Sequence, residues 1–394
     1  MLALLVSPLG IEFVTGRADL SFRVNAVSIV LTLFLLVVLG ALLTRARLRQ
    51  GFFILILCLL PFVLVAGVEA VAIGLRLADR IAPFEDDSIL ANRQEWPGYL
   101  MSDARWQPGT RLYRPWQGRG ISINKLGLRT APPTPKRPGE WRVAVTGASS
   151  VWGWRVLDAD TIPEQLARLI AAKHPNVTVY NFGIEGATVA HELKVLRKFR
   201  KVYGIDQVIF YTGGNDVFGR YLDVSGGTKQ RFDAVNGLAS FEVVKAMARF
   251  MQSLTEPSLA HVAEMQDKVR AHVRTNNSLR AGLMAADQYC RSNGLRCDFV
   301  LQPLLFTRAR PVGPEMRNLQ NFRRFLIGFD VAAHAMYRDA LSAVPANRIH
   351  DFSGIFDNVS KPVLVDSAHV NELGNSIVAA RIADTVTIGS ELEK

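Results

Sequence analysis

Two long apolar runs dominate the first seventy residues. Residues 25–43 and 51–68 are almost uninterrupted by polar side chains. Each is roughly 18 residues long, about the length an α-helix needs to cross the hydrocarbon core of a bilayer. The pattern predicts a two-helix transmembrane hairpin within residues 1–81. Between the runs lie Arg45, Arg47 and Arg49 with no acid, and short arginine-rich loops stay in the cytoplasm. The chain after about Ala82 is therefore expected on the outer side. Arg17, Arg23, Arg76 and Arg80 flank the outer ends and moderate that bias. Residues 1–14, apolar but broken by Pro8 and Gly10, read as an interfacial segment.

Residues 82–140 have no clean period and read as an irregular linker segment. They hold Trp96, Tyr99, Trp106, Tyr113 and Trp116 and end in the proline-rich run 131–139. Such a run favours extended backbone. The aromatics either pack onto the domain that follows or form a sugar-stacking platform.

From Arg142 the pattern turns regular. Short apolar runs at 142–146, 177–181, 207–212, 298–302 and 348–352 predict strands. Helical spacing appears at 161–170, with Thr161 as N-cap and Pro163 in the first turn, and again at 192–203 and 374–386. Strands alternating with helices predict an α/β domain over residues 141–394: a flavodoxin-like three-layer sandwich around a central parallel sheet. The polar, helical stretch at about 219–290 interrupts the alternation. It reads as an insertion able to cap a site.

The formal net charge of +11 over 394 residues changes the picture in one respect. A basic protein can bind nucleic acid, but a domain outside the membrane has no ordinary access to it. Anionic lipid headgroups or an acidic polysaccharide fit better. Arg308, Arg310, Arg317, Arg323 and Arg324 cluster in one segment, as a solvated face or as a surface for an anionic glycan. Of three cysteines, Cys58 lies in the second apolar run. Cys290 and Cys297 can close a small loop in an oxidising compartment. No Cys/His pattern has zinc spacing, and no cofactor is expected.

Four small-residue turns carry the chemistry. The first strand runs into Gly147-Ala148-Ser149, where a serine can serve as nucleophile beyond the carboxyl end of a strand. The second is followed by the turn at 181–186, in which Gly183 and Gly186 allow close backbone approach. The third leads to Gly213-Gly214-Asn215-Asp216, whose amide can point a donor at the same spot. Near the C-terminus stands Asp366-Ser367-Ala368-His369, an acid three positions before a histidine it can orient.

These four blocks, in this order, resemble the SGNH/GDSL hydrolase family, in its membrane-anchored bacterial form. The resemblance covers residues 142–386 apart from the helical stretch. Its third and fourth blocks are the specific ones. Ala148 departs from the family's usual aspartate, which removes support around the turn but not the nucleophile. The resemblance implies a catalytic Ser149–His369–Asp366 set and an oxyanion hole from the Ser149 N–H, the Gly186 N–H and the Asn215 side chain. It implies an esterase that removes acyl groups, acetyl above all, from a glycan or lipid on the periplasmic side of the inner membrane. An O-acetyltransferase modifying a cell-surface or exported polysaccharide, working with polysaccharide biosynthesis machinery, would use the same residues. A degenerate domain acting as an assembly or glycan-binding subunit is the non-enzymatic alternative.

Overall fold

The computed structural model describes residues 110–224 and 258–389, with Trp106, Gln107 and scattered positions between 29 and 71. About half of the two apolar runs lies outside the described residues. The chain there is helical at 32–38 and 63–69, in a unit separate from the one that holds the sheet. No helix of the described residues is long and apolar enough to cross a membrane.

The sheet unit opens with a small antiparallel pair, β1 (Trp116–Gly118) and β2 (Ile121–Ile123). Five parallel strands follow: β3 (Trp141–Gly147), β4 (Val177–Gly183), β5 (Gln207–Thr212), β6 (Arg296–Leu301) and β7 (Ile349–Asp351). Their spatial order is β4-β3-β5-β6-β7, all in parallel register. That is the flavodoxin-like order expected. Val143, Ala144 and Val145 of β3 and all six residues of β5 are buried, because a parallel sheet is covered on both faces and its inner strands read as continuous apolar runs.

The chain leaves β3 in one direction for β4 and then reverses. Right-handed crossovers therefore place the helices on opposite faces. α1 (Ser149–Trp152) and α2 (Ile162–Ala171) follow β3; α3 (Val189–Tyr203) follows β4. α4 (Gly214–Val224), α5 (Leu259–Thr275) and α6 (Ser278–Ser292) lie between β5 and β6. α7 (Pro314–Phe325) and α8 (Phe329–Ala340) precede β7, and α9 (Glu372–Thr385) closes against α2. Thr161 caps α2 as expected, its hydroxyl accepting the N–H of Glu164 at 3.4 Å. α3 begins three residues earlier than its period suggests, at a turn where Thr188 meets His191 Nδ1.

The stretch at 219–290 is described at 219–224 and 258–290. α6 is the helix that carries the chain into β6, and it buries Leu279, Leu283, Ala286 and Cys290. α5 buries Val269 and Val273 and packs on α8. Cys290 and Cys297 form a disulfide that joins the last turn of α6 to β6.

The described part of the linker is equally integral. Tyr113 stacks on Trp152 at 4.8 Å, and Trp106 packs on Tyr113 at 4.6 Å, which favours packing over a sugar platform for these two rings. Trp96 and Tyr99 lie outside the described residues. β4 is an edge strand, and its Asn181 N–H donates to Thr130 Oγ1 at 3.1 Å, so the linker satisfies part of the edge. Further on, Arg142 is buried and donates to the carbonyls of Thr134, Pro135 and Tyr203 and to Glu140. This fixes the proline-rich run beside the start of β3.

Candidate active site

The first block sits where β3 stops. Gly147 has no room for a side chain: a Cβ there would lie 2.4 Å from Val151 Cγ2 and 2.5 Å from the Tyr211 carbonyl. Gly183 at the end of β4 is tighter still, with the Trp152 nitrogen 2.2 Å from any Cβ. The serine turn therefore lies directly on the second block. Val151 and Trp152 anchor it in the core. Ser149 is the first residue of α1, and its carbonyl accepts the N–H groups of Gly153 and Trp154, both at 2.9 Å.

Ala148 is buried, and the turn draws its support from another residue, Arg129. Its guanidinium is fully buried and lies over the Trp152 ring at 4.8 Å. It donates to the carbonyls of Trp152 at 3.2 Å, Gly153 at 2.7 Å and Val156 at 2.8 Å, and to Asp158 at 2.7 Å. Nothing in the period of the linker singles out Arg129.

The fourth block is a tight loop pinned by the bridge between Leu364 and Val370 and by bonds from Val365 N–H to His369 O and from Asn371 N–H to Val363 O. Asp366 Oδ1 accepts the N–H groups of Ala368 and His369, both at 2.8 Å. Its Oδ2 lies 2.5 Å from His369 Nδ1, and His369 Nε2 lies 2.6 Å from Ser149 Oγ. Burial acts against the charge on Asp366. The imidazole and these hydrogen bonds outweigh it and hold the carboxyl below its usual range. Ser150 is buried, and its hydroxyl donates to the Ala368 carbonyl at 3.2 Å, tying the serine turn to the histidine loop. The Trp154 ring stands 5.8 Å from the imidazole.

A buried pair holds that loop from behind. Arg308 and Glu315 form a close ion pair with both side chains at 1% exposure or less. Glu315 Oε1 also accepts the N–H groups of Val363 and Leu364, each at 2.8 Å. Arg308 reaches the Val359 carbonyl at 2.5 Å. Arg308 is thus structural, which corrects its place in the basic surface cluster. Arg310, Arg317, Arg323 and Arg324 are exposed. Glu315→Gln is expected to leave a buried guanidinium without its counter-charge and to cost about 3–5 kcal/mol, read as a lowered melting temperature. An unchanged melting curve would refute this.

Gly186 and Asn215 are linked through Ala187, the residue that follows Gly186. Gly186 has φ +66°, in the left-handed region, and its carbonyl accepts Arg111 Nη1 at 2.7 Å. Asn215 Nδ2 donates to the Ala187 carbonyl at 2.9 Å. The second block joins the serine turn through the Ile184 N–H, which donates to Gly147 O at 3.0 Å. All four blocks thus lie at the carboxyl ends of β3, β4 and β5 and the loop after β7, where the strand order reverses. Among the described residues no group of three His, Cys, Asp or Glu side chains is placed to hold a metal.

No family model and no curated protein matches the sequence. Solved structures offer remote likenesses. An acetyl xylan esterase is 12% identical with a TM-score of 0.36, covering 62% of this chain and 100% of its own. A lipolytic G-D-S-L family protein from Veillonella parvula is 12% identical with a TM-score of 0.33, covering 62% and 98%. A psychrotrophic esterase from a Pseudoalteromonas species is 13% identical with a TM-score of 0.33, covering 64% and 99%. Scores this low carry no argument. The class is defined by the strand order and the residues at its switch point: a flavodoxin-like α/β domain with a Ser–His–Asp array at the carboxyl edge of its sheet.

Proposed function

We propose that the chain is a membrane-anchored, extracytoplasmic serine esterase of SGNH type, removing acyl groups, in the first place acetyl, from a glycan or lipid. One observation carries this reading: the unbroken line from Asp366 Oδ2 to His369 Nδ1 and from His369 Nε2 to Ser149 Oγ, at 2.5 and 2.6 Å. In the reaction Ser149 Oγ attacks the ester carbonyl while its proton passes to His369 Nε2. The ionised Asp366 stabilises the imidazolium. The tetrahedral oxyanion takes donors from the Ser149 N–H, the Gly186 N–H and the second N–H of the Asn215 amide. Collapse expels the alcohol, which takes the proton from His369. Water, deprotonated by the same imidazole, then releases the acid and restores Ser149.

A transferase would differ only in the last step, with a sugar hydroxyl in place of water. The test is to label the protein with a serine-reactive fluorophosphonate, locate the modified peptide, and then give the purified protein an acetyl donor with oligosaccharides. Label on Ser149 and free acetate as the main product support the esterase. Acetylated sugar forming faster than free acetate would make it a transferase, and absence of label would favour a non-enzymatic role.

The location rests on the arginines between the apolar runs and on the Cys290–Cys297 disulfide, a bond that persists in oxidising compartments. Protease added outside intact spheroplasts is expected to cut the chain after residue 82. Cleavage only after lysis would reverse the orientation.

A further inference from the structure

Two buried carboxyls stand behind the Gly186 turn, and neither takes part in the proton transfers above. Asp216 is 3% exposed at the start of α4, and Glu192 is 1% exposed on α3. Asp216 Oδ2 accepts the N–H of Val189, the first residue of α3, at 3.1 Å. Glu192 lies three residues further on, one helical turn from that contact. Its Oε1 accepts the Thr212 hydroxyl at 2.8 Å, and its Oε2 is buried without a hydrogen-bond partner. A charged oxygen in that position is strongly disfavoured. Asn215, next to Asp216, donates to Ala187 O. Two consecutive side chains of one turn thus grip residues 187 and 189, and Gly186 comes just before the grip.

The groups facing Asp216 are few. Glu192 approaches from α3, Arg220 from one turn further along α4 and the buried Tyr337 phenol from α8, with Tyr211 of β5 beside Tyr337. Arg220 also pairs with Asp223 at 3.0 Å. Burial pushes Asp216 up to about 7, against its bonds to backbone N–H groups and the charge of Arg220. Burial first, and then the charge on Asp216, push Glu192 well above the ordinary range.

We propose that Asp216 is a positioning residue whose ionised carboxylate locks the turn at 186–189 against Asn215, while Glu192 beside it is held as the neutral acid, so that the pair carries a single negative charge. This rests on the esterase reading, because the turn so held presents the Gly186 N–H to the oxyanion. Adding a proton to Asp216 removes the charge that draws in the Val189 N–H and that complements the positive end of α3. The turn then loosens, and transition-state stabilisation falls with it.

The test uses the full chain in detergent, as wild type, Asp216→Asn and Glu192→Gln. Infrared difference spectra come first because they need no turnover. Wild type is expected to show one protonated-carboxyl band at alkaline pH, missing in Glu192→Gln. It gains a second with a midpoint near 7, missing in Asp216→Asn. In hydrolysis of an aryl acetate, kcat/KM of wild type steps down about tenfold as Asp216 gains its proton, in addition to the first-power fall that His369 gives. Asp216→Asn shows the first-power fall alone, from an alkaline plateau about tenfold lower. Glu192→Gln, which mimics the neutral acid, keeps the step.

Melting gives a readout that a merely structural role would not produce. A carboxyl whose folded pKa is raised costs stability as pH climbs from its unfolded value to its folded one. Asp216→Asn should therefore melt higher than wild type above pH 7 while turning over more slowly. The proposal is overturned by an Asp216→Asn variant with the wild-type step and plateau, or by absence of the two bands. A wild type that shows both bands but hydrolyses no ester supports the carboxyl pair and counts against the esterase reading alone.

Discussion

Ser149→Ala is expected to lower kcat on an aryl acetate by about 10⁴–10⁶-fold, the range seen when a serine nucleophile is removed from such an array. Ser150→Ala is expected to keep most of the activity. The two serines are adjacent, yet only Ser149 Oγ lies 2.6 Å from His369 Nε2. The Ser150 hydroxyl donates to the Ala368 carbonyl instead. Losing that one neutral bond is worth about 1 kcal/mol, felt as a modest fall in stability. Initial rates of the two variants, with the acyl-enzyme burst followed in the first turnover, decide the matter. A Ser149→Ala protein as active as wild type would remove Ser149 from the mechanism.

Asp366→Asn is expected to cost about 10⁴-fold in kcat with little change in KM. The amide oxygen can still accept the N–H groups of Ala368 and His369, so the loop keeps its shape. The amide nitrogen, however, then faces Nδ1 with a donor. That favours the tautomer with its proton on Nε2, which cannot accept from Ser149. In wild type the carboxyl is held below its ordinary value of 3.8, so it stays ionised throughout the working range. Its contribution to stability is present above the unfolded pKa and is lost as pH falls through the folded one. Wild type should thus lose this advantage over Asp366→Asn in acid, measured as converging melting temperatures below about pH 4. A variant retaining more than a tenth of wild-type kcat would show that His369 needs no orienting acid.

The residues that meet in the Ser149–His369–Asp366 line were legible in the sequence because residue type and local spacing coincide there. Asp366 and His369 lie three apart on one loop. Ser149 follows directly on a buried strand, and Gly183 and Gly213 end the neighbouring strands. Residues that act through long-range packing left no such mark. Arg129 reads as one more linker arginine, and only the fold shows it beneath the serine turn. Arg308 belongs to an arginine-rich segment, and its partner Glu315 stands seven residues away with nothing between them to signal burial. α5 exposes most of its surface and buries Val269 and Val273, so its sequence gives little sign of the face that packs on α8. α3 starts early because a histidine, rather than the usual acid, meets the capping threonine.

The path of the chain into the sheet has a consequence for added length. Arg111 touches Gly186 and Arg129 touches Gly153, both beyond the carboxyl ends of the strands. The segment then descends along β4 by way of Thr130 and arrives at Arg142, at the opposite end. The described chain thus meets the sheet unit first beyond the carboxyl ends of the strands and only afterwards reaches the start of β3. Length added between Pro132 and Gly139 would loosen the strap along β4 while leaving the contacts of Arg111 and Arg129 in place.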